Sequence, residues 1–153
     1  MVKKGRKMKD NNINEYITNR VDDQIKYFNE KAIKNKKIFY FWKIIIIVLS
    51  SLITILSIYS NINECVKYTI IIISVIITAI ESIHSLFHSD RLYIIYRSTC
   101  ESLIREKNLF INNANIYSKQ SEKEKFTMFV DNIEYILART NTTWNDEVSK
   151  DNK

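Results

Sequence analysis

The 153 residues include one Gly and no Pro and carry a formal net charge of +6. With so few turn residues a β-rich fold has little to close its strands on, so the composition points to an all-α protein. The Lys and Arg residues crowd beside two apolar runs, which reads as membrane topology and argues against nucleic acid as a partner.

Residues 1–11 are basic and polar and read as a disordered tail. They are not a signal peptide, because no apolar segment with a small-residue cleavage site follows. Asn12 is a candidate helix N-cap with Glu15 three residues on. From there Ile13, Ile17, Val21, Phe28 and Ala32 recur at helical spacing. The other faces carry Arg20, Asp22, Asp23, Lys26, Glu30 and Lys31, so 12–37 is predicted as an amphipathic helix.

The first long apolar run, 38–59, is interrupted by Lys43. The second, 66–88, is interrupted by Glu81 and His84. Each is about 20 residues, enough for about 30 Å of helix, the thickness of a bilayer core. Stretches such as IIIIVLSSLITILSI and YTIIIISVIITAI are apolar all round. Too little apolar surface remains elsewhere in the chain to bury both, which disfavours a pair of core helices in a soluble protein. The linker 60–65 (SNINEC) is short and polar and forces an antiparallel hairpin. Lys26, Lys31, Lys34, Lys36, Lys37 and Lys43 flank the first span, and Arg91, Arg97, Arg105 and Lys107 follow the second. The linker side has Lys67 alone. The positive-inside rule then puts both termini in the cytoplasm and the protein in the cell (inner) membrane. Cys65 and Cys100 fall on opposite sides, which leaves no intrachain disulfide and no thiolate metal site.

After the second span the helical stripe continues through Leu92, Ile95, Thr99, Leu103, Phe110, Ala114 and Tyr117, predicting a helix over 89–117. Ser118–Ser121 reads as a turn, and Ser121 with Glu124 is a capping-box signature. A return helix over 122–145 follows, with Phe126, Phe129, Val130, Ile133, Ile136, Leu137, Thr140 and Trp144 on one side, before a polar tail, 147–153. The helices outside the membrane are each about 35–45 Å long. Each carries a stripe it cannot bury alone, so they are expected to pack as a cytoplasmic three-helix bundle, with Trp144 near the bilayer surface. The predicted architecture is one domain, 12–146: a transmembrane hairpin continuing into that bundle.

The costly residues are those inside the spans. Lys43 and Glu81 lie at nearly the same depth counted from the linker, so a hairpin in simple register brings them together. One reading is an ion pair that holds the hairpin; the other is that Glu81 faces a cation pathway. Ser74, Thr78, Glu81, Ser85 and His88 share one face of the second span, and Lys43, Ser50, Thr54 and Ser57 share one face of the first. Such stripes either pack against another helix or meet water. Glu81, His84 and His88 have a spacing that a metal could use, but an interfacial location for the histidines is the simpler reading. No catalytic constellation, Gly-rich phosphate loop or cofactor motif is present, so neither an enzyme nor a cofactor is expected.

The runs RVDDQIKYFNEKAIKNKKIFYFWKI (20–44), YIIYRSTCESLIREKNLF (93–110) and FTMFVDNIEYILARTNTTW (126–144), with Tyr117, resemble a bacterial two-transmembrane family of unknown function. That family is similar to the SLATT domains, the two-transmembrane effectors associated with SMODS and SLOG domains. The resemblance covers about residues 13–147. It implies a membrane effector in bacterial conflict or nucleotide signalling, acting by pore formation or loss of membrane integrity after an upstream sensor fires. Tyr96, Arg97, Glu101, Glu106, Glu134 and Trp144 match the family pattern and are expected to hold the bundle or an oligomer contact. With no appended sensor domain, the trigger is expected from a partner or from the membrane. The leading expectation is a homo-oligomeric pore or ion channel lined by the second span. The alternative is a membrane-anchored adaptor whose helical stalk binds a cytosolic protein.

Overall fold

The computed structural model describes residues 12–58, 64–87 and 89–149, with side chains for these except 84–87, 89 and 147–149. The expected tail 1–11, most of the linker 60–65, position 88 and the end of the tail 147–153 lie outside the described residues. Among the described residues the structure is helical and contains no strand. Helical backbone runs unbroken from Asn12 to Ser57, through a π-helical turn at Ile17–Asp22 and then α1 (Asp23–Ser57). There follow α2 (Glu64–Phe87), α3 (Ser89–Ile111), a 3₁₀ turn at Asn115–Tyr117 and α4 (Glu122–Ser149).

The chain divides into two compact units, Met1–Ile33 with Tyr93–Lys153, and Lys34–Leu92. The first holds the buried core. Val21 and Phe28 from the N-terminal helix, Cys100 and Leu103 from α3, Tyr117 from the 3₁₀ turn, and Phe129, Ile133 and Leu137 from α4 form one cluster. Aromatic rings fill its centre. Phe110 stacks on Phe129 with centroids 4.3 Å apart, and Tyr117 and Tyr16 meet Phe110 and Phe129 edge-on. Such ring pairs add about 0.5–1.5 kcal/mol each beyond the area they bury. The buried hydroxyls of Thr99 and Thr140 satisfy one another at 2.9 Å between α3 and α4.

Three boundaries differ from those predicted; one is the return helix, which runs on to Ser149, past its expected end at 145. The helix expected over 89–117 stops at Ile111. Asn113 turns left-handed, with φ 50°. Its N–H donates to the carbonyl of Phe110, and the Ala114 N–H donates to that of Leu109. This is the Schellman arrangement, with Asn taking the position Gly usually holds. The side chain of Lys125 then donates to Asn113 Oδ1 at 2.7 Å. The second apolar helix opens at Glu64, so Glu64 and Cys65 of the expected loop form its first turn. An acidic residue is favourable there, and Glu64 also pairs with Lys67.

The Ser121–Glu124 capping box forms. Ser121 N and Oγ both donate to Glu124 Oε2, and the Glu124 N–H donates back to Ser121 Oγ. Those bonds hold the Glu124 carboxyl below its ordinary range.

Phe129 is fully buried whereas Tyr135, on the same helix, is 67% exposed. Phe129→Ala is therefore expected to cost about 3–5 kcal/mol of stability, and Tyr135→Ala less than about 0.5 kcal/mol. Denaturant unfolding in detergent, followed by hydrogen exchange of the α3 and α4 amides, checks the contrast.

Candidate functional site

The unit Lys34–Leu92 holds two helices long and apolar enough to cross a membrane, and none of their most apolar windows is buried. Their half-buried positions define a seam. Along α1 these include Phe39, Ile46, Leu49, Ile53 and Leu56, and along α2 Val66, Ile70, Ile73, Ile77 and Ile80. With the half-buried Lys43 between Phe39 and Ile46, steps of three and four keep each set on one helical stripe, the pattern of knobs packed into holes. The seam is thus apolar except at Lys43.

Lys43 lies on the seam and the other polar residues fall beside it. Lys43 and Glu81 meet at 3.3 Å, so the short linker and simple register do bring them together. Each side chain remains 43% exposed. In water that would make an ordinary surface pair; in hydrocarbon the open side would have no solvation. The Lys43 ammonium also lies 6.0 Å from the Phe39 ring centroid. Ser50, Thr54, Ser57 and Thr78 are exposed, and Ser74 is half-buried. Thr54, Ser74 and Thr78 donate to carbonyls one turn back, at 2.8–3.1 Å. Their hydroxyl protons are thus committed within the helix, and the oxygen lone pairs face outward. The side chains of His84 and Ser85, and all of His88, lie outside the described residues.

The other residues singled out in the sequence fall in the core-bearing unit, where most bridge separate segments. Glu134 on α4 accepts from Arg20 Nε and Nη2 at 3.1 and 3.0 Å, and from the Tyr16 hydroxyl at 3.3 Å. Burial and the Glu134 carboxylate push the Tyr16 phenol up to about 12. Glu106 accepts from the Tyr117 hydroxyl and, at 2.7 Å, from Asn132 Nδ2. Burial and the Glu106 bond push the Tyr117 phenol well above its ordinary value. Arg97 pairs with Glu101 one turn on and donates to Asn29 Oδ1 at 3.3 Å. Tyr96 packs on Phe28, and its phenol is raised by burial. Tyr96 and Trp144, with Arg20 and Tyr27, line an open groove of about 420 Å³. Cys100 is buried against the Ile25 carbonyl, and burial pushes its thiol up, away from reactivity. Tyr16, Arg20, Asn132 and the Lys107–Asp22 pair escape sequence reading. They join segments far apart in the chain, and no local spacing marks such partners.

A family model described as Protein of unknown function (DUF4231) matches residues 23–125. The chain belongs to that family. The match takes in both apolar helices, α3 and the turn before α4. No curated protein matches the chain, and no solved structure does.

The Arg20–Glu134 contact carries a pH dependence. Arg20's hydrogen bonds hold the Glu134 carboxyl below its ordinary value of 4.5. The unfolded chain therefore takes up a proton at higher pH than the folded one. The stabilisation is fully present above the ordinary carboxylate range and is lost as pH falls through the folded value. Both side chains are 45% exposed, so screening limits the contribution to about 1 kcal/mol or less. Thermal melts of the wild type and Glu134→Gln from pH 7 to pH 3 are expected to converge at the acid end.

Proposed function

We propose that the protein is a multi-pass protein of the bacterial inner membrane with both termini cytoplasmic. In this reading several copies assemble into a pore or ion channel that acts as a membrane effector in stress or conflict. The core-bearing unit serves as the cytoplasmic helical bundle that sets assembly and receives the signal of an upstream sensor or cytosolic partner. The second span is the principal lining. Ser74, Thr78 and Ser85 border the path, Glu81 sets its charge preference, and His88 sits at the cytoplasmic mouth.

The observation that supports this reading is the position of the polar residues. Ser50, Thr54, Ser57 and Thr78 stand off the seam and are exposed, so one hairpin does not cover them. Hydroxyl oxygens that face water or a passing cation are used; the same oxygens facing lipid tails gain nothing. The resemblance of the sequence to a two-transmembrane family similar to the SLATT effectors points the same way.

A second reading, a membrane-anchored adaptor, draws on a different observation. Lys43 and Glu81 satisfy each other, and large apolar side chains of the core-bearing unit, Ile94, Ile111 and Tyr135, are more than half exposed. A closed hairpin would then anchor a helical stalk that binds a cytosolic protein.

Reconstitution separates the two. Protein inserted in liposomes is expected to pass ions and to run as an oligomer in mild detergent. A protein that is monomeric at every concentration, or correctly inserted oligomers that pass no ion, would contradict the pore and leave the adaptor.

A further inference from the structure

The seam has a handed consequence. An α-helix turns by roughly 100° per residue, so a residue one position after a seam residue lies on one flank of the helix and a residue one position before it lies on the other. Reversing the helix direction reverses the sense of rotation. Facing the partner also reverses the seam direction. For two antiparallel right-handed helices packed along their seams, the two reversals combine, and positions one after the seam on both helices fall on the same side of the pair.

Beside the apolar seam residues most of those positions are polar, the exceptions being Tyr40, Ile47 and Ile71. Ser50, Thr54 and Ser57 each follow a seam residue of α1, and Ser74, Thr78 and Glu81 each follow one of α2. Lys43 reaches Glu81 at 3.3 Å, which brings its ammonium to that side too. The residues one before the apolar seam residues are Ile38, Ile45, Val48, Leu52 and Ile55 on α1 and Ile72, Ile76 and Ala79 on α2, with Cys65 and Thr69 nearer the linker. One side of the hairpin therefore carries most of its polar residues, with Ile47 and Ile71 interspersed among them, and is crossed by an ion pair. The opposite side is aliphatic except at Thr69 and Cys65, near the linker.

We propose that copies of this chain turn that polar side towards one another, so that both spans line the shared interior, and that the Lys43–Glu81 pair is a charge latch across it. The occupant is a second copy because the side is self-complementary: it carries an ammonium and a carboxylate next to each other, both about half exposed. A neighbouring copy or enclosed water meets those charges, whereas lipid does not. The latch also revises the charge of the interior. With Glu81 neutralised by Lys43, the closed assembly presents little net charge at that level. Freeing either partner leaves the other to select ions. This inference rests on the oligomeric membrane reading above.

Cysteine cross-linking tests the interface. In a Cys65→Ser background, Thr54→Cys and Thr78→Cys are oxidised in membranes beside Leu52→Cys and Ile76→Cys. Cross-linked dimers are expected at 54 and 78 and only background at 52 and 76. Cross-links at 52 and 76 in preference, or at none of the four, would overturn the interface. Reversal potentials of reconstituted protein test the latch. Lys43→Met is expected to shift selectivity towards cations and Glu81→Gln towards anions, and unchanged or same-sign shifts would overturn it. The two failures separate cleanly. Cross-links at 54 and 78 without flux would remove the pore and keep the interface. Flux without those cross-links would keep the pore and remove this lining.

Discussion

The second half of α1 and most of α2 carry aliphatic side chains that nothing else in their own unit covers. Their one apolar contact is the seam between them, which leaves residues such as Ile44, Ile47, Val48, Ile55, Ile71 and Val75 more than half exposed. Exposed in water, such surface costs about 25 cal/mol per Å². A bilayer removes the problem and adds a rule of its own: every backbone group must be bonded within the segment. Two uninterrupted helices meet that rule, and the near absence of Gly and Pro is what keeps them uninterrupted.

The same constraint explains why so few polar residues in the spans matter so much. Thr54, Ser74 and Thr78 return their protons to their own helices, so each is cheap to place in an apolar setting. Lys43 and Glu81 have no such local remedy, and their mutual contact is what makes the pair tolerable there. The core-bearing unit solves a different problem, that of joining segments far apart in the chain. It does so with a ring-filled apolar centre, and with carboxylates that each accept from another segment, Glu134 from Tyr16 and Arg20, and Glu106 from Tyr117 and Asn132. Tyr96, Glu106 and Glu134 belong to this unit and not to the two apolar helices.

Much of this was legible in the sequence, for reasons that differ by element. The two long apolar helices are visible because apolar length and composition can be read directly along the chain. The Lys43–Glu81 contact is visible because a short linker leaves one simple register. The Ser121–Glu124 box is visible because its chemistry is local. The end of α3 was not, since Asn113 did the work expected of a Gly, and Asn-rich composition hides one functional Asn among many. The Arg20–Glu134 and Lys107–Asp22 contacts depend on the packed core itself, so no spacing along the chain announces them. The sidedness of the hairpin lay between these cases. The stripes were readable, but their common side needed the seam, which burial alone locates.

The most direct test of the account is the side of the membrane on which Cys65 emerges, at the start of α2 where its side chain is exposed. In spheroplasts of an expressing bacterium, a membrane-impermeant maleimide is predicted to label the protein without lysis. Cys65→Ser should abolish the signal, since Cys100 is buried, and the protein should stay with the membranes after alkaline extraction. Recovery in the soluble fraction, or labelling of Cys65 only after permeabilisation, would contradict the hairpin that crosses the bilayer with both termini inside.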